Sequence, residues 1–85
     1  MPDRITLIVG RSYTHGMQWL RQNQKRTGLD AQRCRIVTTA DAFLGLEDYN
    51  VIWLTGWSAC VAANAIRRQA ELARNSGRIH KEITP

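Results

Sequence analysis

At 85 residues the chain has room for one hydrophobic core, so a single domain over residues 1–85 is expected. Its 44% hydrophobic and 22% charged residues fit a globular protein and exclude collagen-like or disordered composition. Twelve Lys/Arg against seven Asp/Glu give a net charge of +5, no apolar run nears the roughly 20 residues a membrane helix needs, and the stretch 5–9 is too short for a signal-peptide core, which makes the cytoplasm the expected compartment.

Residues 5–9, ITLIV, are β-branched and closed by Gly10, the pattern of a strand buried on both faces. Ser12 and Thr14 follow as candidate N-caps. From residue 13 to 26 the apolar period becomes helical, with Tyr13, Met17 and Leu20 on one face and Gln18, Arg21, Gln22 and Lys25 facing out. Gly28 supplies the left-handed stop. Gly16 weakens that helix and points to a close backbone approach. Residues 34–38 form a second, less apolar strand suited to an edge. Thr39 and Asp41 then cap a short helical turn over residues 42–46, and residues 47–50 mark its exit. The third strand is the apolar run 51–55. Gly56, Trp57 and Ser58 turn the chain into a second long helix over residues 59–75, with Ser58 as its cap and a stripe of Ala62, Ile66, Ala70 and Ala73 for close packing on a sheet. Residues 78–84 read as a marginal edge strand.

This alternation predicts an α/β domain with a parallel sheet of three or four strands and helical crossovers. Strand order 2-1-3-4 places the two most apolar strands in the middle. Ligands of such sheets bind beyond the carboxyl ends of the strands, where the order reverses. That point lies between the first and third strands, at Gly10, Arg11, Ser12 and Thr14 on one corner and Gly56 and Ser58 on the other. Both corners open helices, whose free N–H groups suit an anion. Arg11 would add a forked donor and the three hydroxyls further donors, while Trp57 could stack on a planar group. Glycine turns and serine caps are also ordinary turn chemistry.

Catalytic chemistry is poorly represented. Met17 and Gln18 stand where a Walker A loop needs Lys and Ser/Thr, and the glycines are spaced one residue too far apart. Nothing in this segment holds magnesium. Cys34 and Cys60 are too few for a zinc site and have no histidine at ligand spacing, so they read as reduced thiols. Cys60 near a helix start lacks the loop arginine of a phosphatase. His15 reads as a solvated or capping side chain, and no carboxylate pair has hydrolase spacing. No catalytic residue, metal or cofactor is expected.

The cations fall in two groups: Arg21, Lys25, Arg26, Arg33 and Arg35, then Arg67 and Arg68 extended by Arg74, Arg78 and Lys81. On one face they would make a phosphate footprint, whereas helices on opposite sides of the sheet would split them. Trp19 lies off the apolar stripe of its helix and, exposed, would anchor a partner.

The run ITLIVG, Tyr13, residues 17–20 (MQWL), 33–37 (RCRIV), 43–46 (FLGL), 51–57 (VIWLTGW) and the closing charged helix together resemble short accessory proteins encoded by phages of actinobacteria. The similarity spans residues 5–79. It implies a small three-layer Rossmann-like, degenerate P-loop-like fold without the phosphate-binding lysine, and it brings no catalytic residue. Residues 12–16 depart from the pattern by lengthening the first turn. The expected function is a non-enzymatic protein-interaction module binding a host or phage protein through Trp19, Trp57, Arg67 and Arg68, with self-association as a further source of burial. The alternative is a nucleotide or nucleic-acid phosphate binder that uses the two glycine corners.

Overall fold

The computed structural model describes residues 4–85. Strand β1 (Thr6–Val9) is buried along its whole length and passes through the Gly10 corner into helix α1 (Tyr13–Thr27). A 3-10 turn at Ala31–Arg33 leads into β2 (Cys34–Val37), and a second one at Ala40–Phe43 leads towards β3 (Tyr49–Trp53). A third 3-10 turn at Trp57–Ala59 precedes α2 (Ala63–Asn75), which returns to β4 (Ile79–Ile83). Among the described residues these make one four-stranded sheet in the order β2-β1-β3-β4, with every pairing parallel. This is a small Rossmann-like α/β fold.

Alternation along β1 divides the core into two layers. Leu7 and Val9 join Val37, Val51, Phe43, Tyr49, Ile66, Ala70 and Ala73 on the α2 side. Ile8 joins Cys34, Ile52, Leu54 and Leu20 on the α1 side. The helices therefore lie on opposite faces, giving three layers. The small buried residues of α2 bring its backbone close to the sheet, as their spacing predicts.

Helix α1 reaches the sheet differently. Gly16 is buried, and a Cβ there would lie 2.7 Å from Ile36 Cγ2. Contact at that crossing is between helix backbone and strand side chain, the close approach its glycine anticipates. The ends of α1 are set locally. Ser12 Oγ accepts from His15 N–H at 3.1 Å, and Gly28 (φ 72°) closes the helix by donating to Gln24 O.

Several boundaries differ from the sequence expectations. The third strand begins at Tyr49 and ends at Trp53, two residues earlier than the run 51–55. Tyr49 is fully buried against Phe43, with ring centroids 6.0 Å apart, so burial of a large ring overrides the loop character of its polar neighbours. The turn expected at 42–46 is the 3-10 turn Ala40–Phe43; Thr39 occupies its N-cap without a side-chain bond, and Asp41 lies inside its first turn. Ser58 does not cap the second helix. Gly56 (φ 86°) begins a 3-10 turn there, Cys60 is extended, and α2 starts only at Ala63 behind an uncapped Ala62. Tyr13 is 59% exposed: it shares the helix face of Leu20 but, in the first turn of α1, lines an open groove with Met17, Leu20 and Ile36 instead of being buried.

Both sheet edges carry charge. On β2, the Arg35 guanidinium donates to the carbonyls of Gln32 and Cys34, at 3.1 Å each. On β4, the side chains of His80, Lys81 and Glu82 are exposed. Such groups discourage edge-to-edge pairing.

Candidate functional site: an aromatic cleft beside the carboxyl-end rim

The two glycine corners lie on the same rim. Val9 and Trp53 are register partners, Leu54 N–H donates to Val9 O at 2.9 Å, and a Cβ on Gly10 would meet Leu54 Cδ1 at 3.3 Å. Gly10 is buried, whereas Arg11, Ser12, Thr14, Gly56 and Ser58 are exposed. The first corner is largely satisfied from within. Arg11 N–H donates to His15 Nδ1 at 3.2 Å, Ser12 Oγ receives His15 N–H, and Ser12 O receives Gly16 N–H at 3.1 Å. The imidazole covers Gly10, where a Cβ would come within 2.9 Å of Nδ1. His15 thus takes one of the backbone donors that an anion at this corner would need.

A different feature forms just beyond the second corner. Trp53 ends β3 on the α2 side, and Trp57 follows the Gly56 turn. Their rings are 4.6 Å apart at 50°. The Arg67 guanidinium sits 5.6 Å from the centre of the Trp57 ring. Together with Ala70, Glu71, Arg74 and Thr84 they line an open cleft of about 400 Å³. The α2 residues recur at helical spacing, which puts them on one stripe.

Glu82 fastens the outer wall. Its Oε1 accepts from Trp53 Nε1 at 2.9 Å and from Arg74 at 2.7 Å, and its Oε2 accepts a second Arg74 bond at 2.7 Å. The Arg74 hydrogen bonds hold the Glu82 carboxyl below its ordinary pKa, and Glu82 in turn raises that of Arg74. Arg67 bonds only to the neutral Asn64 side chain, at 3.3 Å, and has no carboxylate within ion-pair distance among the described residues.

Of the four expected interaction residues, Trp57 and Arg67 meet in this cleft. Arg68 is exposed on α2 outside it, and Trp19 is half-buried against the Ile8–Leu20 cluster on the other side of the sheet. Trp53, Arg74 and Glu82 are the members that sequence reasoning did not assign. Strand alternation from Val51 places Trp53 on the α2 side, and a count of three and four along the helix from Arg67 reaches Arg74.

Both cysteines are free thiols. Burial raises the pKa of Cys34, and the Cys60 thiol points at Thr38 O, 3.9 Å away. Among the described residues no group of three His, Cys, Asp or Glu side chains is arranged to hold a metal ion, and no helix is long and apolar enough to cross a membrane.

The formal charge is segregated along the chain. Residues 10–39 contain six cations and Asp30 as their sole acid, so this stretch accounts for the whole +5; the other residues hold six cations and six acids. Helix α1 itself carries three cations and no acid, and α2 on the opposite face carries three arginines and one glutamate. Compared with protein-family models, curated proteins and solved structures, the chain matches none.

Proposed function

We propose that the protein is a non-catalytic binding module that docks a protein partner in the Trp53–Trp57–Arg67 cleft. The observation that carries this reading is the convergence, around one open cleft, of two half-buried tryptophans and an arginine without a carboxylate partner among the described residues. Trp and Arg are the side chains most enriched among residues that dominate protein interfaces. A peptide side chain entering the cleft would meet apolar ring faces, while its backbone or a carboxylate could accept from Arg67. The resemblance to phage accessory proteins fits a partner of host or phage origin. Selection from a random linear peptide library tests the reading. Wild-type protein is expected to enrich a sequence family that Trp57→Ala and Arg67→Ala no longer retain. Failure to enrich, or retention by Trp57→Ala, overturns it.

A phosphate-binding reading takes second place. Its support is the shared rim of the two glycine corners; against it stands the use of the Arg11 and His15 N–H groups within the turn. It requires nucleotides to raise the melting temperature, and Arg11→Ala to abolish that rise.

A further inference from the structure

We infer that the exposed face of α1 is a docking surface for a nucleic-acid backbone, separate from the aromatic cleft on the other side of the sheet. Thr14, Gln18, Arg21 and Lys25 follow one another at intervals of four, three and four residues, which aligns them along the outside of the helix, with Gln22 beside them. All five are exposed. The helix contains no Asp or Glu, and Arg11 lies just before its N-terminus. Arg11, Arg21 and Lys25 have no carboxylate partner among the described residues. With Arg26, these put four cations and no acid on residues 11–27, against three arginines and one glutamate on α2.

The chemistry of the ridge distinguishes its partner. Its 15 residues span about 22 Å at 1.5 Å per residue, comparable with several successive phosphates of a duplex strand. Between the cations stand amides and a hydroxyl, which can donate to phosphate oxygens or reach base edges. A membrane-surface helix instead needs an apolar face free to enter the lipid interface. Here Leu20 is buried, Trp19 packs on the sheet core, and the outward ridge is polar throughout.

Fluorescence anisotropy with a short labelled DNA duplex tests the inference. Three phosphate contacts predict a log–log salt slope of about −3, so affinity should fall roughly 40-fold between about 50 and 200 mM salt. Arg21→Glu and Lys25→Glu are each expected to weaken binding about tenfold and to reduce the slope by about one. Arg68→Glu makes the same charge change on α2 and should alter affinity by less than about twofold. Circular dichroism of each variant confirms that it is folded. The inference is overturned by absence of binding at about 50 mM salt, by an Arg68→Glu effect equal to that of Arg21→Glu, or by tighter binding to phosphatidylserine-containing vesicles than to the duplex.

Discussion

On the α2 side of the sheet, buried residues from three strands, a 3-10 turn and the helix form one continuous cluster, to which α2 contributes Ile66, Ala70 and Ala73. On the α1 side the cluster is smaller, and Leu20 is the apolar side chain that α1 buries fully in it. The other residues α1 buries are Gly16, through which it touches Ile36, and Asn23. Asn23 is spent on its own helix: its amide donates to Trp19 O at 2.8 Å, and its side-chain oxygen receives Arg26. Stability and surface chemistry are thus unequally shared. The helix that contributes more to the core sets one glutamate against its three arginines, and the helix that contributes less has three cations and no acid.

Truncation tests this inequality most directly. Ile66→Ala should lower the unfolding free energy by about 3–4 kcal/mol, and Leu20→Ala, with fewer neighbours on its side, by about 2–3 kcal/mol. Against a total of roughly 4–13 kcal/mol for a chain of this length, the first loss is a large fraction of the whole. Urea denaturation of the two variants measures both. Equal losses would mean that α1 is anchored as firmly as α2 and that the comparison fails.

A finer probe is the contact between Gly16 and Ile36. Alanine at residue 16 gains about 1 kcal/mol of helix propensity but must displace a side chain from 2.7 Å. We expect Gly16→Ala to be destabilising by about 1–2 kcal/mol after that gain. Ile36→Ala removes the opposing methyl groups, so adding Gly16→Ala to it should cost little or turn favourable. A double-mutant cycle reads the coupling directly. Additive losses would show that α1 adjusts freely over β2.

These two elements also show how much was legible in the sequence. The residue pattern of β1, its glycine stop and the helical period after it were sufficient for the fold class, the strand order and the shared rim of the two corners. Gly16 announced its close approach because a glycine inside a helix needs a packing reason. Tyr49 was hidden because Glu47, Asp48 and Asn50 around it have loop character, and only the facing Phe43 explains its burial. The start of α2 was hidden for a related reason. Gly56 adopts a left-handed conformation and diverts the chain through a 3-10 turn before the helix begins, so a serine at cap spacing was not a cap. The cleft was half legible: Trp57 and Arg67 were singled out, but their meeting with Trp53 depends on where β3 ends. The charge segregation along the chain could have been counted from the sequence, although assigning its parts to α1 and to the β2 edge required the fold.

A smaller effect concerns an ion pair of the α2 layer. Glu82 joins Arg74 and Trp53 and thereby ties exposed β4 to the helix and to β3. Its carboxyl titrates below the ordinary value in the folded protein, chiefly because Arg74 donates to it. The stabilisation is therefore complete above the unfolded pKa of about 4.3 and disappears as pH falls through the lower folded value. Arg74 is half exposed, so solvent screening limits the contribution to about 1 kcal/mol. Glu82→Gln should lower the melting temperature at neutral pH and converge with wild type in strong acid. A deficit that persists unchanged into acid would assign the loss to packing instead.

The smallest expected change tests whether the α2 core is purely apolar in its energetics. Tyr49 is fully buried, and its hydroxyl has no hydrogen-bond partner among the described residues. Burial raises its pKa, an effect that the nearby Arg78 charge opposes, so the phenol stays protonated at neutral pH. An unpartnered buried hydroxyl costs desolvation without a compensating bond. Tyr49→Phe keeps the ring against Phe43 while removing that cost. It should therefore stabilise the protein by about 0.5–1 kcal/mol, the only one of these single substitutions expected to do so. A loss of stability in urea denaturation would instead identify the hydroxyl as a bonded member of the core, held by a water molecule or by Arg78 in solution. The α2 layer would then owe part of its advantage over the α1 layer to a buried polar contact instead of apolar packing alone.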